Sequence, residues 1–134
     1  MTGPADLYKF KALLVPWDVR GLDTLAPYLL GKPWTSAWHD GDTFNALVSM
    51  GGRSYGLNHV RCAGYNAAEL STGAPGAAAT TLARSLVDTG RIVYFDALAF
   101  ERSDELDNFG RFLGVVTLAD GRDLASLMTA SGPV

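Results

Sequence analysis

The sequence predicts an α+β fold, mainly β, in which five short strands form an OB-type barrel accompanied by two or three helices. Two observations carry this prediction. Short segments with the patterning of strands recur between turn signals, and a helical repeat of small and apolar residues separates the third strand from the fourth. We assign residues 1–134 to a single domain, with a helical segment inserted at about residues 18–37.

The first part of the chain is predicted to hold one strand and the inserted helix. Polar and apolar residues alternate at the start of residues 8–15, which is typical of a strand, and Pro16 ends it. Leucines at helical spacing predict a helix over residues 22–31, with a glycine and a proline as its stop signal. Three tryptophans lie close to this segment: Trp17, Trp34 and Trp38. They suit either the core of the barrel or a surface that binds a partner protein.

A β-hairpin is predicted to follow. Residues 39–42 have the composition of a turn, and residues 43–50 have that of a strand. Paired glycines at residues 51–52 predict the hairpin turn, because glycine readily adopts positive φ. The returning strand, residues 54–62, alternates between two faces. One face carries Tyr55, Leu57, His59 and Arg61, and the other carries Val60 and Cys62.

The second half is predicted as helix, two strands and helix. The first helix covers residues 76–88 and ends at Gly90. Its inward-facing residues are predicted to be Ala78, Leu82, Ala83 and Leu86. Strands follow at residues 92–99 and 110–118, and an Asp-Gly turn then leads to a last helix that Asp123 can cap. Leu124 and Leu127 give this last helix its apolar face.

Composition and charge exclude several classes of protein. The chain is 48% hydrophobic and 19% charged, as in a globular domain, and its one cysteine excludes a disulfide framework or a cysteine-rich zinc site. Eleven basic against 14 acidic residues give a net charge of -3, which argues against a large basic surface for nucleic acid. Neither a signal-peptide pattern nor a bilayer-length apolar run is present, so we expect cytoplasmic synthesis and no membrane partner.

Four polar stretches lie where a barrel would tolerate apolar residues. They read DGDT at 40–43, RCAGYNAAE at 61–69, GAA at 76–78 and DNFGR at 107–111. Taken singly each is weak, because an Asp-Gly-Asp turn is usually only a turn and nearby opposite charges are usually a solvated pair. Their order and spacing are more specific than any one of them.

In that order and spacing, the stretches resemble the staphylococcal nuclease-like (thermonuclease) family. Its members carry a D-G-D-T strand start, an R-L-x-G-I-D-A-P-E stretch and a later D-x-[YF]-G-R turn. The downstream sequence GVVTLADGRDLASLMTASG also looks like the family's last strand, turn and helix. The resemblance covers roughly residues 8–15 and 38–132, so that only residues 22–34 look inserted.

The resemblance implies a calcium-dependent phosphodiesterase acting on DNA or RNA. Asp42, Asn66 and the backbone carbonyl of Ala67 match the positions that hold the metal, and oxygen ligands of this kind suit Ca²⁺. The catalytic positions fall on Arg61, Glu69 and Arg111. The two guanidiniums would hold the phosphate and stabilise the pentavalent transition state, and the glutamate would orient or deprotonate the attacking water.

Several positions depart from the family pattern. Asn66 replaces the second metal carboxylate, so metal affinity should fall, and Ala67-Ala68 replaces a Pro-containing pair, so the loop should be less rigid. Asn108 and Phe109 lack the basic group and hydroxyl expected for binding a terminal phosphate. The chain stops at Val134, before the family's third helix, and the open apolar surface this implies predicts a homo-oligomer or a protein partner.

Two alternatives to the nuclease interpretation stay open. The first is a catalytically weak or silent nuclease-fold module that serves as a structural component of an assembly, such as a bacteriophage particle. Asn66, the acidic net charge and the Trp-rich insertion favour this virion-associated role. The second is a nucleic-acid binder without catalysis, which the small number of basic residues disfavours.

The remaining polar residues near the motifs have structural interpretations. Asp40 can cap its own turn, and Asp107 can pair with a nearby arginine without touching substrate. His39 and His59 have no partner at metal-ligand spacing and are interpreted as structural. Cys62 lies on the opposite strand face from Arg61 and is expected to be buried and inert.

Overall fold

The computed structural model describes residues 9–49, 51, 54–67, 73–102 and 110–130. In this part of the chain five strands and three helices alternate in the order β1, α1, β2, β3, α2, β4, β5, α3. The strands are β1 (Lys9–Leu14), β2 (Thr43–Ser49), β3 (Tyr55–Cys62), β4 (Ile92–Arg102) and β5 (Gly110–Leu118). The helices are α1 (Leu22–Leu29), α2 (Ala74–Leu86) and α3 (Leu124–Ala130).

The five strands form one sheet that closes into a ring in the order β1-β2-β3-β5-β4. The pairs β1–β2, β2–β3, β4–β5 and β1–β4 are antiparallel, whereas β3 and β5 are parallel. A parallel pair cannot be joined by a tight turn, which is why α2 and β4 intervene between β3 and β5. The predicted α+β class with a five-stranded sheet is confirmed at this level.

The interior of the ring is filled by the inward-facing residues of every strand. Phe44, Val60 and Phe95 are fully buried there. The rings of Phe95 and Phe112 lie 5.3 Å apart and are joined by Phe10, which closes an aromatic cluster. Cys62 is buried in the same core, as predicted.

The inserted segment covers part of the outer face of the ring with a second, smaller core. Its members are Val15, Val19, Leu25 and Tyr28, packed against the partly buried Leu13, Leu47 and Leu57. The side-chain amide of the fully buried Asn45, on β2, donates to the carbonyl oxygens of Pro16 and Val19 at 3.0 Å each. The Tyr28 hydroxyl donates to Asp18 at 2.7 Å. The insertion is therefore fastened to the sheet by both apolar and polar contacts.

The three tryptophans were predicted to lie either in the core or on a surface, and they differ in burial. Trp38 is buried in the main core, and its indole N–H donates to the carbonyl oxygen of Val87 at 2.8 Å. Trp17 is half-buried, and Trp34 is exposed on the insertion. Core packing thus accounts for Trp38 alone.

The inward face of α2 differs from the prediction at one position, Ala78, which is exposed. Ala83 is buried as predicted, and the half-buried Leu82 and Leu86 pack against the main core. The other buried residues of this helix are Gly76, Ala79 and Thr80. A Cβ on Gly41 would lie 2.9 Å from the Cβ of Ala79, because the helix packs closely on the turn before β2. Only small residues fit on this face of the helix. The helix also begins at Ala74 and ends at Leu86, two residues before each predicted boundary.

The final helix is capped as expected. The Asp123 carboxylate accepts the N–H of Ser126 at 3.1 Å. Leu124 and Met128 are the buried residues of this helix. No helix in the described ranges has the length and apolar character needed to cross a membrane.

Candidate functional site

The turn that precedes β2 places two aspartates side by side in a buried position. Asp40 and Asp42 are both buried, and one Asp40 carboxylate oxygen accepts the N–H of Asp42 at 3.1 Å. Gly41 lies between them, and a Cβ there would come within 2.8 Å of the Ala67 Cβ. Glycine is therefore required sterically, because the loop after β3 packs directly on this turn.

The Asp42 carboxylate is the centre of the site. Its Oδ1 accepts the Thr43 hydroxyl at 3.2 Å, and its Oδ2 accepts the backbone N–H of Ala67 at 3.1 Å. The same Oδ2 lies 3.3 Å from a terminal guanidinium nitrogen of Arg61. Neutral and cationic donors together satisfy a carboxylate that burial would otherwise destabilise.

Arg61 links Asp42 to the loop after β3. The guanidinium nitrogen that contacts Asp42 also donates to the side-chain oxygen of Asn66 at 2.6 Å. Asn66 is exposed, and 31% of the Arg61 side chain is solvent-accessible. A guanidinium in this position keeps donors available for a ligand arriving from solvent.

The loop over residues 63–67 is held by contacts to three neighbouring elements. The Tyr65 hydroxyl donates to the carbonyl oxygen of Gly41 at 2.9 Å. The backbone N–H of Ala63 donates to the carbonyl oxygen of Gly114, on β5, at 2.7 Å. Gly64 has φ of +97°, and a Cβ there would lie 2.9 Å from the Cβ of Ala125 on α3. The loop therefore has one defined position relative to Asp42.

Arg111 brings β5 into the site. It lies on β5 beside His59 of the parallel neighbour β3, and the next outward residue, Leu113, lies beside Arg61. Arg61, Asn66, Arg111 and Leu113 line one pocket of about 470 Å³, together with residues 62–65. Two guanidiniums on neighbouring strands therefore face a common volume that a phosphate group could enter.

Burial shifts the acid–base properties of the groups around Asp42. Loss of solvent, reinforced by the neighbouring Asp42, raises the pKa of Asp40 to about 6. Burial also raises the pKa of the Cys62 thiol to about 12, so the thiol stays protonated and unreactive at neutral pH. The pKa of Tyr65 is raised, mainly by burial, so its hydroxyl remains a donor.

The described residues of the predicted site come together around the pocket. Asp42, Arg61, Asn66 and Ala67 are joined by direct contacts, and Arg111 lines the same volume. Glu69 and the residues Asp107, Asn108 and Phe109 lie outside the described residues. The roles assigned to all of these residues stay predictions.

Two residues that are predicted to hold a metal, Asp42 and Asn66, both contact Arg61 through a side-chain oxygen. Within the described ranges no three or more His, Cys, Asp or Glu residues group as a metal site would require. Asp42 Oδ2 and Asn66 Oδ1 nevertheless both lie within contact distance of one Arg61 nitrogen, so two hard oxygen donors share a small volume. In this structure the Arg61 guanidinium contacts both oxygens, and Ca²⁺ binding by Asp42 and Asn66 stays a prediction.

One contact within the site, made by Tyr65, and one aromatic cluster near it, centred on Trp17, were not identified from the sequence. Tyr65 lies inside the quoted 61–69 stretch, but an aromatic residue in a loop gives no signal that its hydroxyl will fix a glycine carbonyl. Trp17 stacks on His39 and on His59, with ring centroids 4.7 Å and 4.1 Å away. That cluster joins three parts of the chain, and sequence spacing cannot reveal it.

Comparisons of this chain with family models, curated proteins and solved structures gave no match.

Proposed function

We propose that this chain is a metal-assisted phosphodiesterase of the staphylococcal nuclease-like type, built on an OB barrel and acting on single-stranded DNA or RNA. One observation carries the proposal: Arg61 contacts both Asp42 and Asn66 while lining, with Arg111, a single pocket. This arrangement has the charge and the planar donors that a phosphodiester requires.

The proposed roles follow from the family resemblance, and for Arg61 and Arg111 also from the pocket that both arginines line. Arg61 and Arg111 bind non-bridging phosphate oxygens and stabilise the charge that accumulates as water adds to phosphorus and the ester P–O bond breaks. Glu69 accepts the proton of the attacking water. Asp42, Asn66 and the carbonyl of Ala67 would hold Ca²⁺, which supplies positive charge next to the phosphate when bound.

The contacts of Arg61 also predict how the site changes on binding. In the structure this guanidinium engages both side-chain oxygens assigned to the metal. Substrate phosphate would offer stronger, bidentate acceptors, and turning Arg61 toward it would release Asp42 and Asn66 for the cation. Substrate and Ca²⁺ should therefore bind cooperatively.

The proposal is tested by single-stranded DNA cleavage in the presence of Ca²⁺. Glu69→Gln and Arg111→Ala should each lower the rate at least about 100-fold, because each removes a group that acts in the transition state. Arg91→Ala is the matched control: this exposed arginine lies before β4, outside the pocket, and its loss should leave the rate unchanged.

A further variant examines the weakened metal site. Asn66→Asp restores the charge and should lower the Ca²⁺ concentration that gives half-maximal rate. Equal, slow digestion by the wild type and all variants would exclude catalysis at this pocket.

That outcome would favour the second candidate, a structural or interaction module with no catalytic role. The observation on its side is the apolar surface of the insertion, where Leu22, Leu29 and Leu30 are 81%, 67% and 87% exposed. Exposed leucines at this density are typical of a surface that another protein covers.

A further inference from the structure

Three aromatic rings form a stack on the outer face of the sheet, next to the two arginines of the pocket. Trp17 lies nearly parallel to His39, at 23°, and to His59, at 17°, with ring centroids 4.7 Å and 4.1 Å away. His59 is fully buried whereas His39 is exposed, so the indole contacts one imidazole in the interior and one at the surface. We call the rings of His39, Trp17 and His59 the aromatic stack.

Strand pairing fixes the position of this stack relative to the pocket. Trp38 and Phe44 form a bridge, and the N–H of His39 donates to the carbonyl oxygen of Thr43, so residues 37–39 extend the sheet beside β2. Thr43 is paired in turn with Arg61 on β3. His39 and Arg61 therefore lie two strand spacings apart, roughly 10 Å between Cα atoms.

The inner end of the stack lies even closer to the second arginine. His59 is paired with Asn45 on one side and lies beside Arg111 on the other. Because side chains alternate along a strand, His59 and Arg61 share the outer face of β3, where the pocket opens. The stack and the two arginines thus lie near one another on the same face of the sheet.

We propose that the aromatic stack is a base-binding subsite, in which a nucleobase of a single-stranded nucleic acid stacks on the exposed His39 ring while Arg61 and Arg111 hold a phosphate of the same strand. The inference rests on the proposed function, since it names where that substrate's bases bind. A flat ring beside cationic phosphate donors is the usual arrangement for binding single strands without strong sequence preference. The distance between His39 and Arg61 corresponds to one or two nucleotides along an extended strand.

The stack explains why an exposed histidine can serve this purpose. The backbone N–H of Trp17 donates to the carbonyl oxygen of Ser36, and stacking on the Trp17 indole orients the His39 ring. A pre-oriented ring loses little conformational entropy when a base binds to it. Trp17 lies directly before the insertion, and without its indole the exposed imidazole would lack this stacking contact.

The test measures binding without cleavage. A fluorescently labelled hexathymidylate is titrated with the full chain in EDTA, and anisotropy gives Kd; an abasic oligonucleotide with the same number of phosphates is the matched ligand. His39→Ala should weaken hexathymidylate binding roughly 5- to 20-fold, and His39→Phe should restore it to within about 2-fold. Neither variant should change binding of the abasic ligand, because the phosphate contacts remain.

The protein control is Tyr55→Ala. Tyr55 is also an exposed aromatic residue of β3, but it lies at the far end of the strand, roughly 20 Å from Arg61. Its removal should leave both affinities unchanged.

The outcomes separate this proposal from the nuclease proposal. Equal hexathymidylate binding by the wild type and His39→Ala, or equal loss for the abasic ligand, would overturn the base subsite even if DNA is cleaved. Base-dependent binding that needs His39, in a chain that cleaves nothing, would support the subsite and reject the catalytic role.

Discussion

At the scale of single residues, Asp40 has the clearest electrostatic consequence. Its carboxyl is buried beside Asp42 and accepts that residue's N–H, and burial raises its pKa from 3.8 to about 6. Between these two values the folded protein binds a proton that the unfolded chain has already released. The free energy of unfolding must therefore fall as pH rises through this window.

We accordingly predict that Asp40→Asn flattens the pH dependence of stability between about pH 4 and 6. Asparagine keeps the oxygen that accepts the Asp42 N–H but does not titrate. Relative to the variant, the wild type should lose up to about 3 kcal/mol across this window. Urea unfolding at a series of pH values from 4 to 7 measures the difference.

Asp120→Asn provides a control of opposite sign. Hydrogen bonds, first from the backbone and then from the side chain of Arg122, lower the pKa of Asp120. Removing that carboxylate should lower the free energy of unfolding at pH values above the Asp120 pKa, whereas Asp40→Asn should raise it relative to the wild type as pH increases. A wild-type profile that is flat between pH 4 and 6 would contradict the assignment to Asp40.

Among the structural elements, the insertion is attached to β2 in part by one buried amide, that of Asn45. The Asn45 side chain donates to two carbonyl oxygens of the segment that leads into α1, beneath the apolar contacts of Val19, Leu25 and Tyr28. This segment also carries Trp17, so the same amide helps to position the aromatic stack.

Asn45→Ala should therefore destabilise the insertion more than the ring of strands. The variant leaves two buried carbonyl oxygens without these donors, so the free energy of unfolding should fall by about 2 kcal/mol. Urea unfolding measures this change. Hydrogen exchange should accelerate most over residues 16–30, because the strands keep their own hydrogen bonds. Asn58→Ala, on the neighbouring strand and half-buried, is the control; an equal loss there would mean that the contact to the insertion is unimportant.

At the scale of the whole molecule, the charge limits how nucleic acid can bind. The net charge is -3, so long-range attraction to a polyanion is absent and affinity depends on the local donors of the pocket. Arg61 and Arg111 are the two arginines that line it. Phosphate binding should thus be local and confined to about two contacts.

This predicts a shallow salt dependence of binding. For single strands the slope of log K against log salt concentration is about -0.7 per phosphate neutralised, so two contacts give about -1.4. Arg111→Ala should reduce the slope to about -0.7, as measured with the hexathymidylate in EDTA. A slope steeper than about -3 would show that a larger basic surface takes part.

Much of the fold was predictable because its signals are local. Alternation placed the strands within a few residues, and it correctly put Val60 on the same face as Cys62, whose burial was predicted, since the strand period is two. The face of α2 was predicted wrongly at Ala78, because the buried face is decided by the close approach of Gly41 and Ala79, which no helical periodicity reports.

The residue types of the site and their order along the chain could be read from the sequence: two aspartates around a glycine, an arginine with Asn66 after it, and a second arginine on a later strand. Three contacts could not: Arg61 joins Asp42 to Asn66, Arg111 lines the same pocket, and Trp17 stacks on two histidines. Such contacts between distant segments depend on strand register and ring closure. Those are set by packing of the whole sheet, whereas a sequence pattern reports only its own segment.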